Sequence, residues 1–335
     1  MKAGIICFSQ YGEELAGRVA KILKSWPVEA EVHRCARGEF RSLVNSLFVS
    51  NDLLVFIGSC GLTVRGIAPL LQGKDKDPAV LVIDEKGEFV ISLLSGHLGG
   101  ANETTGKLAE ALSAQAVITT STDVHQVFSI DDWCRREGYK IANLDKIVAV
   151  SSKLLAGEEV SVLSEFPISS ELPAGLRLSH SKEKADIVIQ ISADYPKSAL
   201  AIIVPAVSLG IGCRKNTEKE RISTAVEACL EEENVHPLAI ARMASIDLKA
   251  NEPALLAYAE ENELPFLTFP ASELQKVEGD FSSSDFVKSV TGLDNVCERA
   301  SLIKIEGAQQ ISRKKVYEGV TLALAKIPQE IDFNT

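Results

Sequence analysis

Five short runs in the first third of this chain are apolar at nearly every position and rich in β-branched residues. They are residues 3–8 (AGIICF), 52–58 (DLLVFIG), 79–84 (AVLVID), 89–94 (FVISLL) and 116–119 (AVIT), each bounded by Gly, Asp, Pro or Ser. A strand with one wet face alternates polar and apolar residues, so runs without alternation belong to strands buried on both faces. Between them lie stretches of helical spacing near 11–25, 39–49, 63–71 and 98–113. In the last, Leu98, Ala101, Thr105, Leu108 and Leu112 recur every three or four residues and form one face that can cover a sheet. Alternation of this kind specifies a layered α/β fold with mainly parallel strands. The runs 79–84 and 89–94 are separated only by Glu85-Lys86-Gly87-Glu88 and read as a hairpin, which makes the sheet mixed.

Beyond residue 123 the pattern loosens. A helix near 128–137, a turn-rich passage with Pro167 and Pro173, and strands at 185–192 and 199–204 suggest a small middle domain. Regular alternation returns with a strand at 207–213, a helix at 217–233, a strand at 238–246, a helix at 252–262 and a strand at 265–269. With 335 residues and roughly 100–200 per domain, the expected organisation is an N-terminal α/β domain over 1–123, a middle domain over 124–205 and a C-terminal α/β domain over 206–335.

The 35 Lys and Arg against 46 Asp and Glu leave a formal charge of −11, which argues against nucleic acid and anionic membranes as partners. The amino terminus has one positive charge and too short an apolar stretch for a signal peptide. The most apolar long window, Ala199 to Gly212, is broken by Pro205, Ser208 and Gly210, short of the roughly 18 residues of a spanning helix. Seven cysteines without a Cys-x-x-Cys pair suggest neither a disulfide framework nor a zinc ribbon, and point to the cytoplasm.

Chemistry concentrates in Ser92-Leu93-Leu94-Ser95-Gly96-His97-Leu98-Gly99-Gly100-Ala101-Asn102-Glu103, which leaves a buried strand, passes a glycine-rich turn and enters a helix. The expectation is that His97 stands at the carboxyl edge of the sheet, where open α/β folds bind ligands. First-turn amides there would hold a carboxylate or an oxyanion. A tight turn whose histidine only packs explains the residue types equally well, and Glu103 suits a first helical turn without any catalytic duty. Lys74-Asp75-Lys76-Asp77-Pro78 reads as a solvated turn or as a clamp for substrate carboxylates. Gly58 to Arg65 offers Thr63 and Arg65 as anion ligands, while Cys60 is as well explained by packing as by nucleophilic chemistry.

In the third segment Gly210-x-Gly212-Cys213-Arg214-Lys215 resembles a dinucleotide turn, but Lys215 stands where a third glycine belongs. An amide-lined turn beside Arg214 and Lys215 suits a polycarboxylate better. Lys249 and Glu252 near the next helix are either further ligands or an ion pair. The metalloprotease, nucleophile-elbow, phosphate-loop and calcium-loop templates are absent, and the five scattered histidines propose no metal site.

The order of these pieces is more specific than any one of them. Gly66 to Leu71, Lys74 to Val80, Ser92 to Glu103 and Thr119-Thr120-Ser121-Thr122-Asp123 resemble the amino-terminal domain of the CbiG family of cobalt-precorrin-5A hydrolases. Leu209 to Arg214, Ala244 to Glu252, Val296 to Leu302 and Gly319 to Ala323 are similar to that family's carboxy-terminal domain. The resemblance spans about residues 50–330. It implies opening of the ring-A δ-lactone of cobalt-precorrin-5A and release of acetaldehyde to give cobalt-precorrin-5B, in anaerobic cobalamin biosynthesis. The cobalt would arrive with the substrate, so no separate cofactor or metal is expected.

On that footing His97 is the expected general base or acid, with Glu103 or Asp84 orienting it or handling a second proton. Gly99 and Gly100 would supply oxyanion donors. Substrate contacts are expected from Thr63, Arg65, Lys74, Asp75, Ser95, Gly96, Asn102, Gly210, Gly212, Arg214 and Lys249, with the macrocycle between the first and third domains. The expected partner is the cobalt-corrinoid tetrapyrrole itself, with a homodimer and transient contact with neighbouring pathway enzymes left open. Two rival readings are a non-catalytic tetrapyrrole carrier and a nucleotide-dependent oxidoreductase.

Overall fold

The computed structural model describes residues 1–73 and 76–334. The chain divides into two compact units, 1–135 and 136–335.

The first unit runs β1 (Lys2–Cys7), α1 (Gln10–Ser25), β2 (Glu29–Arg34), α2 (Phe40–Ser50), β3 (Leu53–Ile57), α3 (Cys60–Ile67), β4 (Ala79–Ile83), β5 (Phe89–Leu94), α4 (Ala101–Leu112), β6 (Gln115–Val117), α5 (Ser121–Val124) and α6 (Ile130–Glu137), the last ending just past the boundary. One sheet in the order β2-β1-β3-β4-β5-β6 forms its centre. Strand parity explains the uninterrupted apolar runs. Ile5, Val55 and Leu81 pack with Leu15 and Val19 of α1 and Leu108 of α4, while Ile6, Phe56 and Val82 pack with Val44 of α2 and Ile67 of α3. Both faces are covered, so neither needs polar residues. The strand β2 was not legible in the sequence: EAEVHR lies on the edge of the sheet and buries fully only Ala30.

The predicted hairpin forms, and it decides where the loops go. Strands β1 to β4 are parallel, but β5 pairs with β4 antiparallel, and β6 follows β5 in direction. The end of β5 therefore lies at the amino edge of the parallel strands. His97 follows β5, so it stands there and not at the carboxyl edge expected for it.

The second unit contains two sheets. The first, in the order β7-β11-β10-β8-β9, is built from β7 (Lys140–Ile141), β8 (Val160–Ser164), β9 (Leu176–Leu178), β10 (Ile187–Gln190) and β11 (Leu200–Ile203), with α7 (Ile147–Leu155) between its first two strands. The second contains β12 (Val207–Cys213), followed by α8 (Lys219–Glu232), β13 (Ile240–Ile246), α9 (Pro253–Glu261) and β14 (Phe266–Phe269). The chain then passes α10 (Ala271–Leu274), α11 (Asp285–Thr291) and α12 (Cys297–Leu302) and ends in β15 (Gln309–Tyr317) and β16 (Val320–Lys326), giving the order β14-β13-β12-β16-β15. Bridges Ile168 to Ile331 and Ser192 to Val235 join the two sheets into one body. The expected break at 205 falls between the two sheets of this unit, and the boundary between the units lies at 135, past the expected 123, where α6 buries Ile130 and Trp133. Among the described residues no helix is long and apolar enough to cross a membrane.

Candidate active site

The turn between β5 and α4 is knotted by its own hydrogen bonds. The amide of Gly100 donates to the His97 carbonyl at 2.9 Å, that of Ala101 to Ser95 at 3.2 Å and that of Asn102 to Gly96 at 2.9 Å. Ser95 adopts φ 56 and Gly100 φ 77, a region that costs an L side chain about 1 kcal/mol or more and that glycine enters freely. The Ser95 hydroxyl donates to the Asp77 carbonyl at 3.0 Å. A Cβ on residue 96 would come within 2.8 Å of the Asn102 side chain, and one on residue 99 within 2.5 Å of the Ser95 Cβ. These glycines make room for the turn itself.

This crowding corrects several expectations. The amides of residues 100, 101 and 102 are used inside the turn, so Gly100 is not an oxyanion donor. Ser95, Gly96 and Asn102 shape the turn and do not reach outward. The Gly99 amide has no hydrogen-bond partner among the described residues.

His97 is held between two carboxylates. Its Nε2 lies 2.9 Å from Asp123 Oδ2 and its Nδ1 3.4 Å from Asp131 Oδ2, with Thr122 Oγ1 3.1 Å from Nε2. Asn102 braces this arrangement: its amide nitrogen donates to Asp123 Oδ2 and to Thr120 Oγ1, both at 3.0 Å. Its carbonyl oxygen accepts from Ser92 Oγ at 2.6 Å. The Ser129 hydroxyl donates to Asp131 Oδ1 at 2.8 Å. The imidazole is only 13 % exposed. Burial opposes its charge, but hydrogen bonds and attraction from Asp131 and then Asp123 outweigh burial and lift its pKa from 6.5 to about 9. Burial pushes Asp131 the other way, and the His97 contact outweighs it to hold that carboxyl below its ordinary range. His97 is therefore an imidazolium at neutral pH. With both nitrogens on carboxylates, this geometry suits the expected acid role better than the base role.

Glu103 does not orient His97. It accepts from Lys107 Nζ at 2.5 Å and from Arg135, which also donates to Asp132 at 3.0 Å. The Lys107 bond leads the lowering of its carboxyl pKa. Two cations one turn and one helix away claim it before the imidazole can.

Asp84 closes the β4–β5 hairpin by accepting from the amides of Lys86 at 3.0 Å and Phe89 at 2.7 Å. The register pairs Ile83 with Val90 and Val80 with Leu94, so Asp84 and His97 stand at opposite edges of the sheet, roughly 15 Å apart at ~3.3 Å per residue. Thr63 is buried and its hydroxyl donates to the Ser59 carbonyl at 3.2 Å, which removes it as an anion ligand. Arg65 is exposed on α3 beyond the carboxyl end of β3. Lys74 and Asp75 lie outside the described residues. In this first unit a groove of about 390 Å³ runs past Leu98 and Gly99, with Phe48, Pro78, Lys76 and Asp52 on its walls.

In the second unit Gly210 and Gly212 sit inside β12, paired with Ala323 and Thr321 of β16, and form no ligand turn. A Cβ at 210 would fall 1.8 Å from the Cys297 carbonyl oxygen, so Gly210 lets α12 lie directly on the strand. Arg214 is exposed. Lys249 is paired at 3.0 Å with Glu252, whose other oxygen accepts from the Asn216 amide at 2.7 Å.

Sequence reasoning missed Asp123, Asp131, Thr122 and Arg135 as neighbours of the turn. Thr122 and Asp123 stood in the stretch 119–123 quoted for the family resemblance, without a role, while Asp131 and Arg135 gave only an acid-rich start to the helix near 128–137, which is also what an ordinary solvated first turn looks like.

Two family models match the chain, Cobalamin synthesis G N-terminal over residues 42–123 and Cobalamin synthesis G C-terminus over residues 207–325. The cobalt-precorrin-5A hydrolase of Salmonella typhimurium is 32% identical over 338 residues, covering 96% of each chain. That of Priestia megaterium is 32% identical over 357 residues, covering 97% of this chain and 95% of its own. A solved cobalamin biosynthesis protein G homolog from Sulfolobus solfataricus aligns over 97% of both chains with 23% identity and a TM-score of 0.42.

Proposed function

The chain belongs to the CbiG family, and on that premise we propose that it hydrolyses the ring-A δ-lactone of cobalt-precorrin-5A, releasing acetaldehyde and leaving cobalt-precorrin-5B. Lactone opening needs an activated water and a positive charge or hydrogen-bond donor facing the developing oxyanion. The carbon–carbon cleavage that follows sends its electron pair into the conjugated macrocycle, where the substrate's own cobalt-bearing system receives it.

The observation that carries this reading is the His97 imidazolium, held between Asp123 and Asp131 and only 13 % exposed, beside the Ser95–Asn102 turn. A fixed cation that is itself largely out of water stabilises a nearby oxyanion more than a fully solvated one does. The Gly99 amide is a backbone donor without a partner among the described residues, worth about 3–4 kcal/mol if aligned with the oxyanion. The groove along Leu98 and Gly99 is mainly polar, with Phe48 and Pro78 as apolar patches for the edge of the macrocycle and Lys76 as a cation for a peripheral carboxylate. No cofactor beyond the substrate's cobalt is called for.

Anaerobic incubation with cobalt-precorrin-5A, following acetaldehyde and the mass of the macrocycle, tests the reaction. Turnover by the wild-type protein with loss of at least a hundredfold in His97→Ala supports the reading. Tight tetrapyrrole binding with no acetaldehyde from the wild type would make the protein a carrier instead. A wild-type rate in His97→Ala would remove the imidazolium from the chemistry.

A further inference from the structure

Four carboxylates surround the Ser95–Asn102 turn, and their oxygens are engaged to different extents. Asp77 accepts from the amides of Gln72 at 2.9 Å and Gly73 at 3.2 Å, one on each oxygen. Asp131 gives one oxygen to Ser129 and the other to His97, and its side chain is 13 % exposed. Glu103 gives one oxygen to Lys107 and the other to Arg135. Asp123 differs. Its Oδ2 takes both His97 Nε2 and Asn102 Nδ2, its Oδ1 has no partner among the described residues, and its side chain is 36 % exposed. It is fixed at one oxygen and open to water at the other.

Resting on the lactone reading above, we propose that Asp123 is the base that takes the proton from the attacking water, through Oδ1. His97 cannot fill that role, since both its nitrogens face carboxylates. The step balances without any further reactant. The water O–H bond breaks and its proton goes to Asp123 Oδ1, while the water oxygen bonds to the lactone carbonyl carbon and the carbonyl π pair moves onto its oxygen. As the tetrahedral centre collapses, the ring C–O bond breaks with its pair on the departing oxygen, which takes the proton back from Asp123. The imidazolium, with both nitrogens on carboxylates, acts on the charge that builds on the carbonyl oxygen through its field and not through a hydrogen bond. Asn102, Thr120 and Ser92 act as positioning residues, because the amide they hold in place fixes the rotamer of Asp123.

The test measures acetaldehyde release under anaerobic conditions for the wild type, Asp123→Asn and Asp123→Ala, the last with and without added sodium formate. A positioned base is worth about 10²–10⁴ in rate. The expected result is a kcat in Asp123→Asn lower by at least ~100-fold with KM within about threefold, and recovery of at least ~10-fold in Asp123→Ala on adding formate, which restores a small carboxylate. A merely structural aspartate would not respond to formate.

Folding is read from tryptophan emission, since Trp26 and Trp133, the two tryptophans of the sequence, both lie in the first unit and Trp133 is fully buried. If Asp123→Asn loses native emission, Asp123→Ser carries the same comparison with a small acceptor kept for Asn102. A kcat within threefold of wild type in a folded variant overturns the assignment, as does a loss that formate leaves unchanged. Absence of acetaldehyde from the wild-type protein overturns the reaction itself, so the two failures are distinct.

Discussion

Replacing Asp131 by Asn removes one of the two charges that hold His97 protonated and leaves the shape of the site nearly intact. The rise from 6.5 to about 9 amounts to roughly 3 kcal/mol of preference for the imidazolium at ~1.4 kcal/mol per unit. Asp131, at 13 % exposure against 36 % for Asp123, is the less screened partner and accounts for the larger share, roughly 2 kcal/mol. Because the folded pKa lies above the unfolded one, this stability is fully present below pH 6.5 and disappears as the pH climbs through 9. Two readouts follow. In a proton NMR titration, with the His97 resonance identified by its loss in His97→Gln, the wild-type midpoint is expected near 9 and the Asp131→Asn midpoint at least one unit lower. In urea unfolding followed by tryptophan emission, the first unit of the wild type should lose roughly 3 kcal/mol between pH 6.5 and 9.5, and that of Asp131→Asn about 1 kcal/mol. A wild-type midpoint within half a unit of 6.5, or the same midpoint in both proteins, would refute the two-carboxylate account.

Three other substitutions test the packing that frames the site. Gly210→Ala puts a Cβ 1.8 Å from the Cys297 carbonyl oxygen, so α12 must lift from β12; a loss of about 3 kcal/mol or more in the second unit, or insoluble protein, is expected in circular dichroism melts. Asn102→Ala strips Asp123, Thr120 and Ser92 of their shared partner, which should cost the first unit about 2–3 kcal/mol, read as a lower urea midpoint by tryptophan emission. Glu252→Gln leaves Lys249, 16 % exposed, without its carboxylate; the second unit should lose about 2–4 kcal/mol, and a melting temperature equal to wild type would show that the pair is idle.

Much of the architecture was written locally. Runs such as AVLVI and LLVFI have no polar position to turn toward water, so they become central strands wherever the chain takes them. Asp84 and Gly87 encode the β4–β5 hairpin within six residues. The turn after β5 was legible as a turn because glycine and serine there relieve contacts with residues only a few positions away. The polar edge strand β2 was not legible, since its pairing with β1 supplies what its composition lacks.

The site depended on direction and on distance along the chain, neither of which a local pattern records. The hairpin reverses β5, so His97 emerges at the amino edge of the parallel strands, away from Asp84 and from the start of α3. Its partners Asp123 and Asp131 lie 26 and 34 residues further on, brought back by helices whose acidic first turns look like any solvated helix start. Sequence by itself determined which segments are buried strands and where the chain turns, because those choices rest on neighbours in the chain. Only the tertiary structure decided that the histidine is a cation, because its charge is set by two carboxylates that local order does not place beside it.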